Sequence, residues 1–151
     1  VSDIEKAYSE KSPAIGDLER MYGNGSSSVW VKTQVLGLDF VSSTKESADI
    51  NAMDEFAQLF CRQYSHIKLT EFLLFIGRFK LGRYGKFYGY FDMLTIGEAF
   101  RKFLRERSDE LDMLIRRQNN RSIDERAPYV PVQHEPPEDL NIRSYFKNDT
   151  L

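Results

Sequence analysis

The chain has 151 residues, a formal net charge of -2, and 41% hydrophobic and 29% charged residues. That length suits one domain with a sizeable core, and the near-neutral charge excludes a histone-like cationic coat. No stretch of about 18 apolar residues occurs, so no membrane-spanning helix is expected. A single cysteine, Cys61, with only His66 and His134 beside it in the composition, can build neither an internal disulfide nor a zinc site. The charged opening, Val1 to Glu10, lacks the apolar core of a secretory signal, and a cytoplasmic location is expected.

A short helix is expected over Asp3 to Glu10. Ser12-Pro13 reads as an N-cap followed by proline at the first helical position, and Ile15, Leu18 and Met21 continue at helical spacing. Gly23 stands where a left-handed residue would close that helix, and Gly23 to Ser28 reads as a loop. Val29 to Val41 fits two patterns. Val29, Val31, Thr33 and Val35 alternate as in a strand, whereas Trp30, Val31, Val35, Leu38 and Val41 form a helical stripe. Helix is preferred, because no second strand-like segment exists to satisfy a strand's backbone.

Beyond a polar link at Ser42 to Ser47, Ile50, Met53, Phe56, Ala57, Phe60, Cys61 and Tyr64 predict an amphipathic helix. Its acids Asp49, Asp54 and Glu55 fall early, where the helix dipole favours them. Leu69, Phe72, Leu73, Ile76 and Phe79, broadened by Leu74 and Phe75, predict a central helix. A long helix is expected from Asp92 to Asn119, with Thr95 and Glu98 as a capping box and Phe100, Phe103, Leu104, Leu111, Leu114 and Ile115 as its apolar face. From Asn120 the composition shifts, and four of the five prolines lie in this last stretch. A Pro-rich tail, extended or docked, is expected there.

One stretch stands out. Residues 77–91 read GRFKLGRYGKFYGYF and hold four of the nine glycines and six of the twenty aromatics, with Arg78, Lys80, Arg83 and Lys86 interleaved. Aromatic faces alternating with cations suit stacking on bases beside phosphate contacts. The competing reading is a tight corner between helices, with glycines for left-handed turns and aromatics for packing. Residues 68–107 carry nine basic and four acidic side chains, a local excess of five, while the flanking segments are net acidic. Arg101, Lys102 and Arg105 can share a helix face, so this charge fits either a phosphate-facing surface or a solvated helix with ion pairs.

Several motifs fail on inspection. Gly77 and Gly82 have the P-loop spacing, but Arg83 and Tyr84 follow where lysine and a hydroxyl are needed. Gly85 to Tyr90 lacks the sheet platform of RNA-recognition aromatics. His66 has no Cys partner at catalytic spacing, Asp54 and Glu55 point to different sides of a helix, and Cys61 sits on an apolar face. No catalytic residue is assigned.

The succession Asp54-Glu55-Phe56-Ala57, Leu69-Thr70-Glu71-Phe72, Arg78-Phe79-Lys80, Gly82-Arg83-Tyr84-Gly85-Lys86-Phe87-Tyr88-Gly89 and Phe103-Leu104-Arg105-Glu106-Arg107 resembles a family of small helical proteins of phages and mobile elements of gut Bacteroidales. The resemblance spans about residues 14–108, and Tyr90-Phe91-Asp92 stands where members of that family usually show a smaller residue before the aspartate. It implies a helix over Val29 to Phe40 and, by setting, an accessory role in DNA transactions similar to that of helicase-loading adaptors.

These readings converge on an all-α fold, a compact bundle of about five helices over residues 1–119 with a Pro-rich tail over 120–151. The first functional expectation is a non-enzymatic, DNA-associated accessory protein of a phage or mobile element. Its nucleic-acid contacts would be Arg78, Lys80, Arg83, Lys86, Arg101, Lys102 and Arg105. The alternative is a protein-binding or self-assembling module, with Tyr84, Tyr88, Tyr129, Tyr145 and Phe146 meeting a partner. No metal, cofactor or membrane partner is expected.

Overall fold

The computed structural model describes residues 3–8, 11–39, 49–85 and 91–124. Six helices run in chain order: α1 (Asp3–Ala7), α2 (Asp17–Tyr22), α3 (Ser26–Asp39), α4 (Ile50–Gln63), α5 (Leu69–Lys80) and α6 (Met93–Asp124). No strand occurs among the described residues, so the all-α expectation holds, with six helices where about five were expected. The Pro-rich tail lies outside them from residue 125 onward.

The core forms where α3, α4, α5 and α6 each turn one stripe inward. Val31, Val35 and Leu38 come from α3, Met53, Ala57 and Phe60 from α4, Phe72, Phe75 and Phe79 from α5, and Ile96, Phe100 and Phe103 from α6. Phe100 lies at the centre of an aromatic cluster. Its ring centroid is 4.7 Å from Phe60, 4.9 Å from Tyr64, 5.0 Å from Phe75 and 5.7 Å from Phe103. Most of these contacts are edge-to-face, the arrangement that the ring quadrupole favours. From the other side, Trp30 of α3 meets Phe72 at 5.6 Å. The helix preferred for Val29 to Val41 is thus borne out through Asp39, and its Lys32 pairs with Asp54 of α4 at 2.7 Å.

The N-terminal reading needs correction. Ser12-Pro13 does not start a helix; α2 begins at Asp17. The chain before it lies alongside residues 65–69, where Ile15 N–H donates to the Ile67 carbonyl (2.8 Å), Gly16 N–H to Ser65 (2.9 Å) and Leu69 N–H to Pro13 (2.9 Å). This long-range pairing satisfies the backbone groups that a helix would otherwise have used. A Cβ on Gly16 would come within 3.2 Å of the Ser65 Cβ, so the close approach suits glycine. Ser26 to Ser28, expected in a loop, open α3, because the Glu19 carboxylate folds across that helix end. It accepts from Gly25 N–H (2.6 Å) and Ser27 N–H (3.2 Å) and bonds the Ser27 hydroxyl. Hydrogen bonding to Ser27 holds the Glu19 carboxyl below its ordinary range.

Helices α4 and α6 both start on an aspartate. Asp49 caps α4 by accepting from Asn51 N–H at 2.9 Å. Asp92 caps α6, accepting from Leu94 N–H (3.0 Å), Thr95 N–H (3.2 Å) and the Thr95 hydroxyl (3.1 Å). The cap was therefore misplaced by three residues, with Thr95 as a donor to the true cap. Helix α6 also runs past the expected end at Asn119, since neither glycine nor proline occurs between Gly97 and Pro128. Its 32 residues span about 48 Å. Leu111 and Leu114 are half-buried, but Ile115 is 54% exposed and residues 115–122 all face solvent.

Replacing Phe100 with alanine is expected to cost about 3–5 kcal/mol, the range for deleting a buried aromatic ring. Urea unfolding followed by the emission of Trp30 measures it.

Candidate functional site

The corner after α5 is built by its glycines. Gly82 has φ of +77° and closes α5 in a Schellman arrangement, with Gly82 N–H donating to the Phe79 carbonyl (2.8 Å) and Arg83 N–H to Arg78 (3.1 Å). Open space surrounds the position of a Gly82 Cβ, so conformation and not crowding selects glycine there. Gly85 has φ of +110° and ends the described part of the turn.

This geometry aims three side chains of the aromatic–basic stretch at one place on α6. Arg78 donates to Glu106 (3.3 Å) and Glu110 (2.7 Å), Arg83 to Glu106 (3.2 Å), and the Tyr84 hydroxyl to Glu106 (2.8 Å). Tyr8, from the N-terminal segment, donates to Glu110 at 2.6 Å. Glu106 and Glu110 are four residues apart and share a helix face. One turn earlier, the Phe103 ring lies 5.8 Å beneath the Arg78 guanidinium. Beside this cluster, Glu71 is buried, accepts from Lys68 N–H at the start of α5 (3.2 Å), and pairs with Arg107 at 3.0 Å.

Glu71, Glu106 and Glu110 are each engaged by a cation or a phenol. Burial and the hydrogen bond to Glu106 push the Tyr84 phenol up to about 12, and burial with Glu110 raises Tyr8 as well. A phenol so shifted stays protonated and serves as a donor. The arrangement is a polar clamp that ties α5, its turn and the N-terminal segment to α6.

The seven cations expected on one basic face are therefore placed differently from one another. Arg78 is buried and neutralised, because its two carboxylates and the Phe103 ring form the wall it packs on. Arg83 is half-exposed but paired with Glu106. Lys80 is exposed and reaches toward Gly37 of α3. Arg101, Lys102 and Arg105 remain exposed on α6, with no ion-pair partner among the described residues. Tyr84, expected to meet a partner, is buried with its hydroxyl on Glu106. Lys86, Tyr88, Tyr129, Tyr145 and Phe146 lie outside the described residues. Cys61 packs against the core as expected, and burial pushes its thiol up to about 11.

The feature that sequence reasoning missed is a groove of about 450 Å³ between α4 and α6. Its floor is Phe56, Phe60, Tyr64 and Met93, its rims are Leu59 and Leu94, and Arg101 borders it. Leu59 is 56% and Leu94 78% exposed, so two large apolar side chains stand free at the opening. Their signal in the sequence was an apolar residue outside each main stripe. Helix α3 packs on α4 and α5.

Fold and site together define a small helical domain with internally paired ionisable groups and an open apolar groove. The chain belongs to a family of unknown function, DUF6633, whose model matches residues 48–143. That match begins after α3 and extends past α6, whereas the resemblance in the sequence spans about 14–108. No curated protein and no solved structure matches the chain.

Two measurements check the clamp. Arg78→Ala leaves Glu106 and Glu110 without their buried cation and is expected to destabilise the fold by about 3–5 kcal/mol. In alkali the sign follows from the raised phenol. An unfolded Tyr84 ionises near 10 and the folded one only near 12, so its contribution is intact below pH 10 and lost as pH rises from 10 to 12. Tyr84→Phe is expected to flatten that loss in pH-dependent urea titrations.

Proposed function

We propose that the chain acts by binding a protein segment in the α4–α6 groove and performs no catalysis. The observation that carries this reading is the groove itself, a mostly apolar trough between α4 and α6 whose lining also holds Arg101 and Glu55. Apolar side chains exposed together in a concave site are the usual mark of a docking surface. The neighbouring Arg101, Lys102 and Arg105 favour an occupant that pairs acidic residues with apolar ones.

Association with nucleic acid is a second proposal, favoured by those same three exposed cations. It has lost support from Arg78 and Arg83, whose charges meet carboxylates. The role in phage or mobile-element DNA transactions and the cytoplasmic location implied by the sequence belong to this second reading.

The two separate experimentally. Selection of a random dodecapeptide library on the full chain is expected to enrich peptides with acidic residues next to apolar ones. Leu94→Asp or Leu59→Asp should weaken their binding about tenfold or more, while Leu81→Asp, at the exposed end of α5, leaves it unchanged. No enrichment, or indifference to the groove variants, overturns the docking reading. Salt-sensitive retardation of single-stranded or duplex DNA that Arg101→Glu/Arg105→Glu abolishes would establish the other.

A further inference from the structure

The groove carries one charge of each sign. Its lining includes Glu55 on α4 and Arg101 on α6, both exposed, and neither has an ion-pair partner among the described residues. Ring contacts fix their levels. Phe60 and Tyr64 both meet Phe100, at 4.7 and 4.9 Å, so Arg101 stands at the Gln63–Tyr64 end of the groove. Glu55 lies about two turns back along α4, at the opposite end, where the lining holds Phe56 and the Met93–Leu94 start of α6. The exposed side chains of Leu59 and Leu94 rise from the two rims.

Such a face is complementary to itself. A two-fold axis lying across the groove, through the midpoint of the line from Glu55 to Arg101, sets each of these residues on the other in a second copy, and the contact is made twice. The leucines of the two rims then meet around the axis. The remaining charges of the two walls agree with this arrangement. Arg105, one turn beyond Arg101, comes toward the same Glu55 of the second copy. Glu98 and Lys102 are one turn apart on the outer face of α6 and offset each other. Asp54 is paired with Lys32, Asp92 caps α6, and Arg62 lines a different pocket with Gln58 and Cys61. A second copy also presents what the groove favours, an acid one turn before a leucine, in Glu55 and Leu59 of its own α4.

We propose that the occupant of the α4–α6 groove is the same groove of a second copy, in a symmetric dimer held by Leu59 and Leu94 and by two Glu55–Arg101 pairs. This rests on the groove being a docking site, as proposed above, and names what docks there. Any other partner of the groove then competes with dimerisation.

Light scattering on the full chain tests it. The expected mass at about 100 µM is about 35 kDa, twice the 17.6 kDa of one chain, falling toward the single-chain value on dilution. Leu94→Asp should give a monomer, and Leu81→Asp should leave the dimer intact. Glu55→Arg alone and Arg101→Glu alone should each raise the dimer dissociation constant about tenfold, because each sets like charges together twice. Both changes in one chain restore opposite pairs and should bring the constant back to within about twofold. All four positions are exposed, so the circular dichroism of the variants is expected to match the parent chain. A monomer throughout the concentration series overturns the proposal, as does a dimer indifferent to Leu94→Asp or one that the double charge variant fails to recover. If the chain is monomeric while library peptides still depend on Leu94, only the second copy is lost as the occupant. Failure of both removes the groove reading as well.

Discussion

Two carboxylates one turn apart on α6 set the geometry of this molecule. A guanidinium as buried as that of Arg78 is costly to desolvate, and Glu106 and Glu110 offset the cost only from their present positions. Moving α6 by one residue would swing both carboxylates about 100° around its axis and leave the arginine unpaired beside Phe103. The clamp thus fixes register, which aromatic packing alone leaves less determined. The Schellman turn at Gly82 belongs to the same device. Its usual apolar contact between the third-last helical residue and the second residue past the cap is here replaced by Arg78 and Arg83 meeting on one carboxylate.

That arrangement changes the meaning of the basic region. A local excess of positive charge counts side chains without showing where they point. Arg78, Arg83 and Arg107 are assigned to Glu106, Glu110 and Glu71, and the cations exposed on α6 are Arg101, Lys102 and Arg105, near the groove, with Arg116, Arg117 and Arg121 farther along the helix. The aromatic–glycine stretch serves mainly, through its described part, as the corner that holds α5 against α6.

Most of the helices were legible because their apolar stripes recur at the helical period. Phe72, Phe75, Phe100 and Phe103 could be placed inside from spacing alone. Local signals misled where a distant segment competed. Pro13 looked like a helix start, but Ile67 and Ser65 supply hydrogen-bond partners that no local rule contains. Ser26 to Ser28 looked like loop residues until Glu19 capped them from eight positions away. The groove was invisible for a similar reason. Leu59 and Leu94 fall off their own stripes, and only the packing of α4 beside α6 brings them together.

The pairing of residues 13–16 with 65–69 has a consequence for where the domain can be divided. The segment matched by the family begins at residue 48, yet Ile15, Val31, Val35 and Leu38 of the preceding chain are among the deepest side chains in the core. Helix α3 covers one flank of α4 and α5, and the backbone before α2 holds the link between them. An excised piece starting at residue 48 would present a bare hydrophobic flank and an unsupported hinge.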